Sequence, residues 1–156
     1  MFWRRLGAVV LWVAASVAPA CARDVAVISN QASGVSALTL PDLVKLCKAQ
    51  TTRWPDGTPV LLVISEPGSP AMKTVAEKIY SMTPVQMQDL VATTNHGRKN
   101  RPAILVTHSD QEVIRRVESS PGALGLVDVY SITDAVKVVR IGGKLPLEPG
   151  YPLHSN

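Results

Sequence analysis

Short aliphatic runs alternate with amphipathic segments along most of this chain, and that alternation constrains its fold more than any other feature. The runs are rich in β-branched residues, are short enough to be strands, and occupy residues 24–30, 59–64, 103–107, 123–128 and 135–141. Helical patterns occupy residues 40–50, 70–81 and the segments that follow Thr83 and Ser109. Strands alternating with helices predict one α/β domain with a mixed, mostly parallel sheet.

The first 22 residues have the pattern of an export signal. Arg4-Arg5 form a basic region, the 12 residues 6–17 form an apolar region, and Ala20-Cys21-Ala22 supplies small residues for cleavage. Twelve residues are too few to cross a bilayer as a helix. We therefore expect cleavage after Ala22, a periplasmic location and a single mature domain of residues 23–156.

The two cysteines lie in different contexts. Cys21 falls inside the signal, and a second interpretation makes it the acylated N-terminus of a lipoprotein. With cleavage after Ala22, Cys47 alone remains in the mature chain, which excludes an internal disulfide. Because Cys47 lies among leucines and valines of a predicted helix, we expect a buried, inert thiol.

The net charge and the motifs of the chain argue against several classes of function. Removing Arg4 and Arg5 lowers Lys plus Arg from 16 to 14 against 12 Asp plus Glu, a net charge of about +2 that argues against nucleic-acid binding. The three histidines lie far apart without cysteines or carboxylates at ligand spacing, so we predict no metal site. Neither a Gly-x-Ser-x-Gly elbow nor a P-loop occurs, and we expect no enzyme and no cofactor.

The Gly68-Ser69-Pro70 turn joins a predicted strand to a predicted helix. Ser69 is a favoured N-cap and Pro70 fits the first helical position. An apolar stripe follows at Met72, Val75, Ala76 and Ile79. The amides at such a helix start can hold phosphate, sulfate or a carboxylate. Most helices of α/β proteins begin in the same way, so a plain helix cap is the alternative.

Three further segments carry weaker signals. Trp54 follows Arg53 and precedes a Pro-Asp-Gly turn, and we expect its ring to hold that turn onto the helix before it, with a ligand contact as the alternative. Residues 93–102 form a basic polar loop, solvated or steering anions. The Gly- and Pro-rich residues 142–156 show no core-forming period, and we expect them to lie outside the core.

The order of motifs resembles a known family. LVKLCKAQTTRWPDGTPV, EPGSPAMKTV and VESSPGALGLVD follow one another across nearly the whole mature chain. They resemble segments of the phosphate-binding periplasmic proteins of ABC transporters, in particular their short relatives. The resemblance implies a three-layer α/β domain equivalent to one lobe of the type II periplasmic-binding-protein fold.

The same resemblance implies an oxyanion site at the Gly-Ser turn. Its residues would be Ser65, Gly68, Ser69 and Ser109. Two departures from the family bear on affinity: Ser65 or Glu66 stands where the family often has an arginine, and no segment corresponds to the family's first lobe. A lost arginine removes bidentate recognition of phosphate.

Two functional hypotheses follow. In the first, the exported domain binds phosphate or a similar oxyanion weakly for an ABC transporter. In the second, it has kept the lobe but lost the ligand, and it serves as an interaction or sensor-accessory module for a membrane partner. Neither hypothesis involves nucleic acid.

Overall fold

A computed structural model describes residues 23–155 of the chain. The expected signal segment, its cleavage site and Cys21 lie outside the described residues. The strands are β1 (Val25–Asn30), β2 (Ala37–Leu38), β3 (Leu61–Ser65), β4 (Ile104–Thr107), β5 (Ala123–Asp128), β6 (Val136–Val138) and β7 (Arg140–Ile141). The helices are α1 (Leu40–Cys47), α2 (Pro70–Val75), α3 (Pro84–Thr94) and α4 (Asp110–Ser119). None of the described helices is long and apolar enough to span a membrane.

The main sheet has five strands in the order β4-β3-β5-β1-β6, and β2 and β7 form a separate pair. β3 lies parallel to both β4 and β5, whereas β1 is antiparallel to β5 and β6. The small β2-β7 pair is also parallel. Three of the five pairings in the described chain are therefore parallel, and the predicted α/β class with a mixed, mostly parallel sheet is confirmed.

Helices cover both faces of the main sheet, which gives three layers. α1, α2 and α3 pack on one face, where buried side chains such as Leu43, Met72 and Met87 form the larger core. α4 covers the other face through its apolar stripe of Val113, Ile114 and Val117. Capping side chains explain where these helices begin: Thr39, Ser69, Thr83 and Ser109 each accept an amide hydrogen bond from the first helical turn.

Several predicted boundaries differ from the structure. The strand predicted at 135–141 is two strands, β6 and β7, separated by Val139, whose N–H still donates to the Val27 carbonyl oxygen. β7 pairs with β2, a short strand that the sequence did not predict. The helix predicted at 40–50 ends at Cys47. The helix predicted at 70–81 is present, but its last turns, Ala76–Tyr80, are π-helical and end at Ser81, which has a left-handed φ of 52°.

The C-terminal tail contradicts the expectation that it lies outside the core. Tyr151 and Leu153 are buried in the larger core, and the Tyr151 hydroxyl donates to the Val25 carbonyl oxygen at 2.8 Å. His154 Nδ1 bonds the carboxylate of buried Asp24. The expectation was wrong because the glycines and prolines turn the tail back across the start of β1 instead of leaving it in solvent.

The two remaining expectations concern single buried side chains. Cys47 is fully buried, which confirms the expected burial, and burial raises the pKa of its thiol to about 12. Trp54 is also buried, and its Nε1–H donates to the Gly122 carbonyl oxygen at 3.0 Å. The ring therefore holds its turn in place as expected, but its hydrogen bond goes to the residue before β5 rather than to α1.

Candidate functional site

One edge of the main sheet collects the ends of its central strands. The parallel strands β3, β4 and β5 end here at Ser65, Thr107 and Asp128, and antiparallel β1 begins here just after Arg23-Asp24. In open α/β sheets, ligands bind outside the carboxyl ends of the strands. This edge is therefore the candidate site, and three of the four predicted site residues belong to the strand-to-helix turn that follows β3.

Ser65 and Ser69 meet at the start of α2. Ser65 is 3% exposed, and its Oγ lies 3.0 Å from Ser69 Oγ. Ser69 Oγ also accepts from the Met72 amide at 3.4 Å, so the predicted N-cap is confirmed. The Ser69 N–H donates to the Glu66 carbonyl oxygen at 2.9 Å and is not free for a ligand. The backbone N–H groups of Gly68 and Ala71 make no hydrogen bond with the described residues, so they remain for an external acceptor.

Ser109 lies at the start of α4, on the opposite face of the sheet from α2. Its Oγ accepts from the Glu112 amide at 3.3 Å. Ser109 and Glu112 have the spacing of a capping box, but the Glu112 carboxylate accepts from the His108 amide at 3.0 Å rather than from Ser109, so only half of the box is formed. The next residue, Asp110, lines the same pocket as Ser69.

A shallow pocket of about 260 Å³ separates the starts of α2 and α4. Arg23 contributes the one cation of its lining, and its guanidinium lies 3.5 Å from the Asp128 carboxylate. Asp110 accepts from the Asp128 amide at 3.0 Å and from the Ser131 hydroxyl at 2.8 Å. Two carboxylates against one guanidinium make the pocket net negative. Its lining comprises Arg23, Ser69, Pro70, Ala71, Asp110, Asp128, Tyr130 and Ser131.

Glu66 adds a third carboxylate to this edge. It follows β3 and is exposed, and its Oε1 lies 2.9 Å from Nδ1 of His108, which follows β4. The hydrogen bond to Glu66 and its charge, with a smaller effect of Glu112, raise the pKa of His108 above its usual value. Glu66 and Ser65 were the two candidates for the family's arginine position, and neither supplies a cation.

The ion pair between His108 and Glu66 gives a testable pH dependence. Because the folded-state pKa of His108 is raised, its stabilising contribution is complete below the unfolded-state pKa and disappears as pH rises through the raised value. We expect Glu66→Gln to return the His108 pKa towards its usual value, as measured by NMR titration of the imidazole. Glu112→Gln is the matched control and should lower the pKa less; an unchanged pKa in Glu66→Gln would contradict the pairing.

Sequence reasoning missed Arg23, Asp110, Asp128 and Ser131. Asp128 ends a correctly predicted strand and Asp110 follows a predicted N-cap, so both could have been placed at this edge once the parallel order of β3 and β5 was known. No local signal marks Arg23 or Ser131, because their proximity to Ser69 depends on antiparallel β1 and on the 3₁₀ turn Val129–Ser131.

Comparisons with solved structures identify the fold. An ABC-type phosphate transport receptor from Vibrio cholerae matches with a TM-score of 0.70 at 19% identity, over 86% of this chain and 54% of that one. The fold is that of a single lobe of a periplasmic binding protein. PstS from Borrelia burgdorferi matches with a TM-score of 0.65 at 12% identity, over 86% and 55% of the two chains. A phosphate-binding protein from Stenotrophomonas maltophilia gives 0.63 at 13%, over 80% and 40%.

The chain thus spans about half the length of the solved structures it resembles. No protein-family model matches the sequence, and no curated protein matches it significantly. The predicted resemblance to phosphate-binding proteins and the predicted single-lobe fold are confirmed by the structural neighbours. Within residues 23–155, no three His, Cys, Asp or Glu side chains converge in a group that could hold a metal ion.

Proposed function

We propose that this domain is an exported, non-enzymatic binding-protein lobe that works through contact with a membrane transporter or sensor, and that it binds free phosphate or sulfate only weakly. The fold supports the first part, because its solved neighbours are described as phosphate transport receptors and phosphate-binding proteins. The charge of the candidate site supports the second part, and it favours the interaction hypothesis over the binding hypothesis.

The donors at the Ser69 pocket are few. An oxyanion there would meet the Ser69 hydroxyl, the Ala71 amide and Arg23, whose guanidinium already contacts Asp128. The Gly68 amide belongs to the same turn but lies outside the pocket lining. Two or three neutral hydrogen bonds contribute roughly 0.5–1.5 kcal/mol each, and a helix start about 0.3–1 kcal/mol. The sum is on the order of 2–5 kcal/mol, which corresponds to a Kd between tens of millimolar and a few tenths of a millimolar.

Carboxylates near the pocket reduce the affinity for an oxyanion further. Asp110 and Asp128 line the same pocket, and Glu66 lies on the same edge of the sheet. An anion that enters must approach these like charges, which costs free energy at short range. We therefore place phosphate affinity in the millimolar range or weaker, which is far from what scavenging a nutrient requires and favours the interaction role.

Titration calorimetry with phosphate and with sulfate tests this proposal. We expect a Kd of a millimolar or more for the purified protein and a further loss of binding in Ser69→Ala. Asp128→Asn should tighten phosphate binding several-fold because it removes one opposing charge, and Asp134→Asn, outside the pocket lining, is the matched control. Sub-micromolar binding that disappears in Ser69→Ala would overturn the weak-binding proposal. Binding that ignores both Ser69→Ala and Gly68→Asp would remove the site from this turn.

A further inference from the structure

The edge strand β4 keeps one residue open for backbone pairing. β4 is the outermost strand of the sheet, and no described strand pairs with its outer side. Parallel ladders use alternate residues, and the Leu62 amide bonds the Ala103 carbonyl oxygen. The N–H and C=O of Leu105 therefore face β3, whereas those of Ile104 and Val106 face outward.

The Asn95 side chain hydrogen-bonds the outward backbone groups of Ile104 but not those of Val106. Its Nδ2 donates to the Ile104 carbonyl oxygen at 2.7 Å, and its Oδ1 accepts from the Ile104 amide at 3.2 Å. Beyond the strand, Glu112 accepts from the His108 amide. The outward N–H and C=O of Val106 have no hydrogen-bond partner among the described residues, and its side chain is 39% exposed.

A groove of about 550 Å³ runs beside this open residue, between β4 and α4. α4 supplies Arg115 and Arg116 to its lining, both exposed. The other lining residues are Leu105, Val106, Thr107, His108, Glu112 and Ser119. The groove thus places two guanidinium groups next to an unpaired backbone donor and acceptor.

The turn that leads into β4 extends the positive charge. Arg98, Lys99 and Arg101 lie there, immediately before the strand, and are exposed. Among the described residues, no carboxylate lies within 4 Å of these three cations or of Arg115 and Arg116. We call these five cations together with Val106 the basic edge.

Two carboxylates of α4 belong to the same region. Glu112 lines the groove, with its carboxylate on the His108 amide, and Glu118 lies exposed on the same helix. Five cations against these two carboxylates give the region a net charge of +3. The rest of residues 23–156 holds 9 Lys and Arg against 10 Asp and Glu, so the positive charge of the domain is concentrated at the basic edge.

We propose that the basic edge binds a short, extended, acidic segment of a partner protein. The segment adds as a strand to β4 through the N–H and C=O of Val106, and its carboxylates bind Arg115 and Arg116 in the groove. Strand addition gives backbone hydrogen bonds to any sequence, so the arginines select acidic side chains by charge-assisted bonds. This inference names a partner for the proposed interaction role and rests on it.

An anionic membrane surface would also attract these cations, but it would not engage the Val106 backbone or the groove. A lipid headgroup layer offers no strand to pair with the Val106 backbone, and a flat surface does not enter a groove between a strand and a helix. An extended acidic peptide uses the open backbone pair, the groove and the charge together.

An NMR titration of the ¹⁵N-labelled protein tests the proposal, with an acetylated peptide of alternating glutamate and threonine as the probe. We expect saturable shifts of the Val106 amide and of residues 115–119. The double variant Arg115→Gln/Arg116→Gln should weaken binding at least tenfold, because both guanidinium groups are lost. Lys45→Gln/Arg140→Gln removes two exposed cations elsewhere and should change the affinity less than twofold.

A second pair of variants isolates the backbone contact. Val106→Pro removes the outward N–H while leaving the Leu105 ladder bonds to β3, a change that edge strands tolerate, and it should weaken binding at least threefold. Val106→Thr keeps the N–H and the branched side chain and should stay within twofold. Amide spectra that retain their dispersion show that each variant is folded.

Four outcomes would overturn the proposal: no saturable binding of the glutamate peptide, equal binding of the matching lysine peptide, unchanged affinity in Val106→Pro, or binding to phosphatidylglycerol vesicles without binding to the peptide. These outcomes are separate from a failure of the proposed function. The phosphate titration reports on Ser69 at the carboxyl ends of the strands, and its result does not depend on the basic edge.

Discussion

Deletion of residues 150–156 is expected to unfold the domain or to lower its free energy of unfolding by about 5 kcal/mol or more. The deletion removes Tyr151 and Leu153 from the larger core, where both are buried. Truncating one buried leucine typically costs about 2–5 kcal/mol and one buried aromatic side chain about 3–5 kcal/mol. Domains of this size have a total stability of about 5–15 kcal/mol, so the loss is comparable to the whole.

The deletion also uncovers polar groups. The Val25 carbonyl oxygen loses the Tyr151 hydroxyl, and buried Asp24 loses His154. Asp24 keeps the Leu147 amide, but a buried carboxylate that loses one of two partners still adds to the cost. Urea unfolding followed by circular dichroism measures the effect.

Two point variants in the tail test whether the loss of stability comes from lost core packing or from the shorter chain. Leu153→Ala should cost about 2–5 kcal/mol, because the side chain is fully buried. Leu147→Ala, in the same tail but 59% exposed, should change the stability by less than about 0.5 kcal/mol. A truncated protein with nearly unchanged stability would show that the tail is not part of the core.

Gly122→Ala is expected to cost about 3 kcal/mol or more. A Cβ built at Gly122 would lie 2.1 Å from the backbone carbonyl oxygen of Pro59, and a backbone atom cannot rotate away. The Gly122 carbonyl oxygen also accepts from the Trp54 indole and from the Leu61 amide. Moving this residue to relieve the clash therefore disturbs two hydrogen bonds as well, which takes the cost to the upper end of the usual range for overpacking.

Gly34→Ala is the control for this substitution. An added Cβ at Gly34 meets no atom within 4 Å, so its effect should stay within about 0.5 kcal/mol. The fluorescence of Trp54 provides a second readout, since the indole should become more exposed in Gly122→Ala. Equal stability of the two alanine variants would contradict the close approach of Gly122 to Pro59.

The residues that stabilise the fold are different from the residues that surround the candidate site. The single-lobe fold rests on apolar cores on both faces of the sheet, and those cores do not involve the candidate site. At the candidate site, Ser65 and Ser69 supply two hydroxyls, whereas Glu66, Asp110 and Asp128 make the surroundings negative. The weak anion binding that we propose is therefore compatible with an intact core.

Much of the architecture could be predicted from the sequence. The continuous apolar run at 123–128 is typical of a strand buried on both faces. The apolar stripe behind Ser109 is typical of a helix that buries one face. Ser69 and Thr83 marked their helix starts because an N-cap satisfies amides that the helix itself leaves free. These features depend on residues that are close together in the chain, so they can be recognised from the sequence alone.

What only the tertiary structure decided depends on residues far apart in the chain. The tail looked polar and irregular, yet Tyr151 and Leu153 are core residues because Val25, about 126 positions earlier, offers its carbonyl oxygen and an apolar surface. The same holds for the Ser69 pocket, where Arg23 and Asp128 arrive on antiparallel strands. The sequence by itself determined most of the elements, their order and the fold class, since those follow from local propensity and period. Which charges face one another was decided by strand order and chain reversal, because electrostatic contact depends on distance in space and not on distance along the chain.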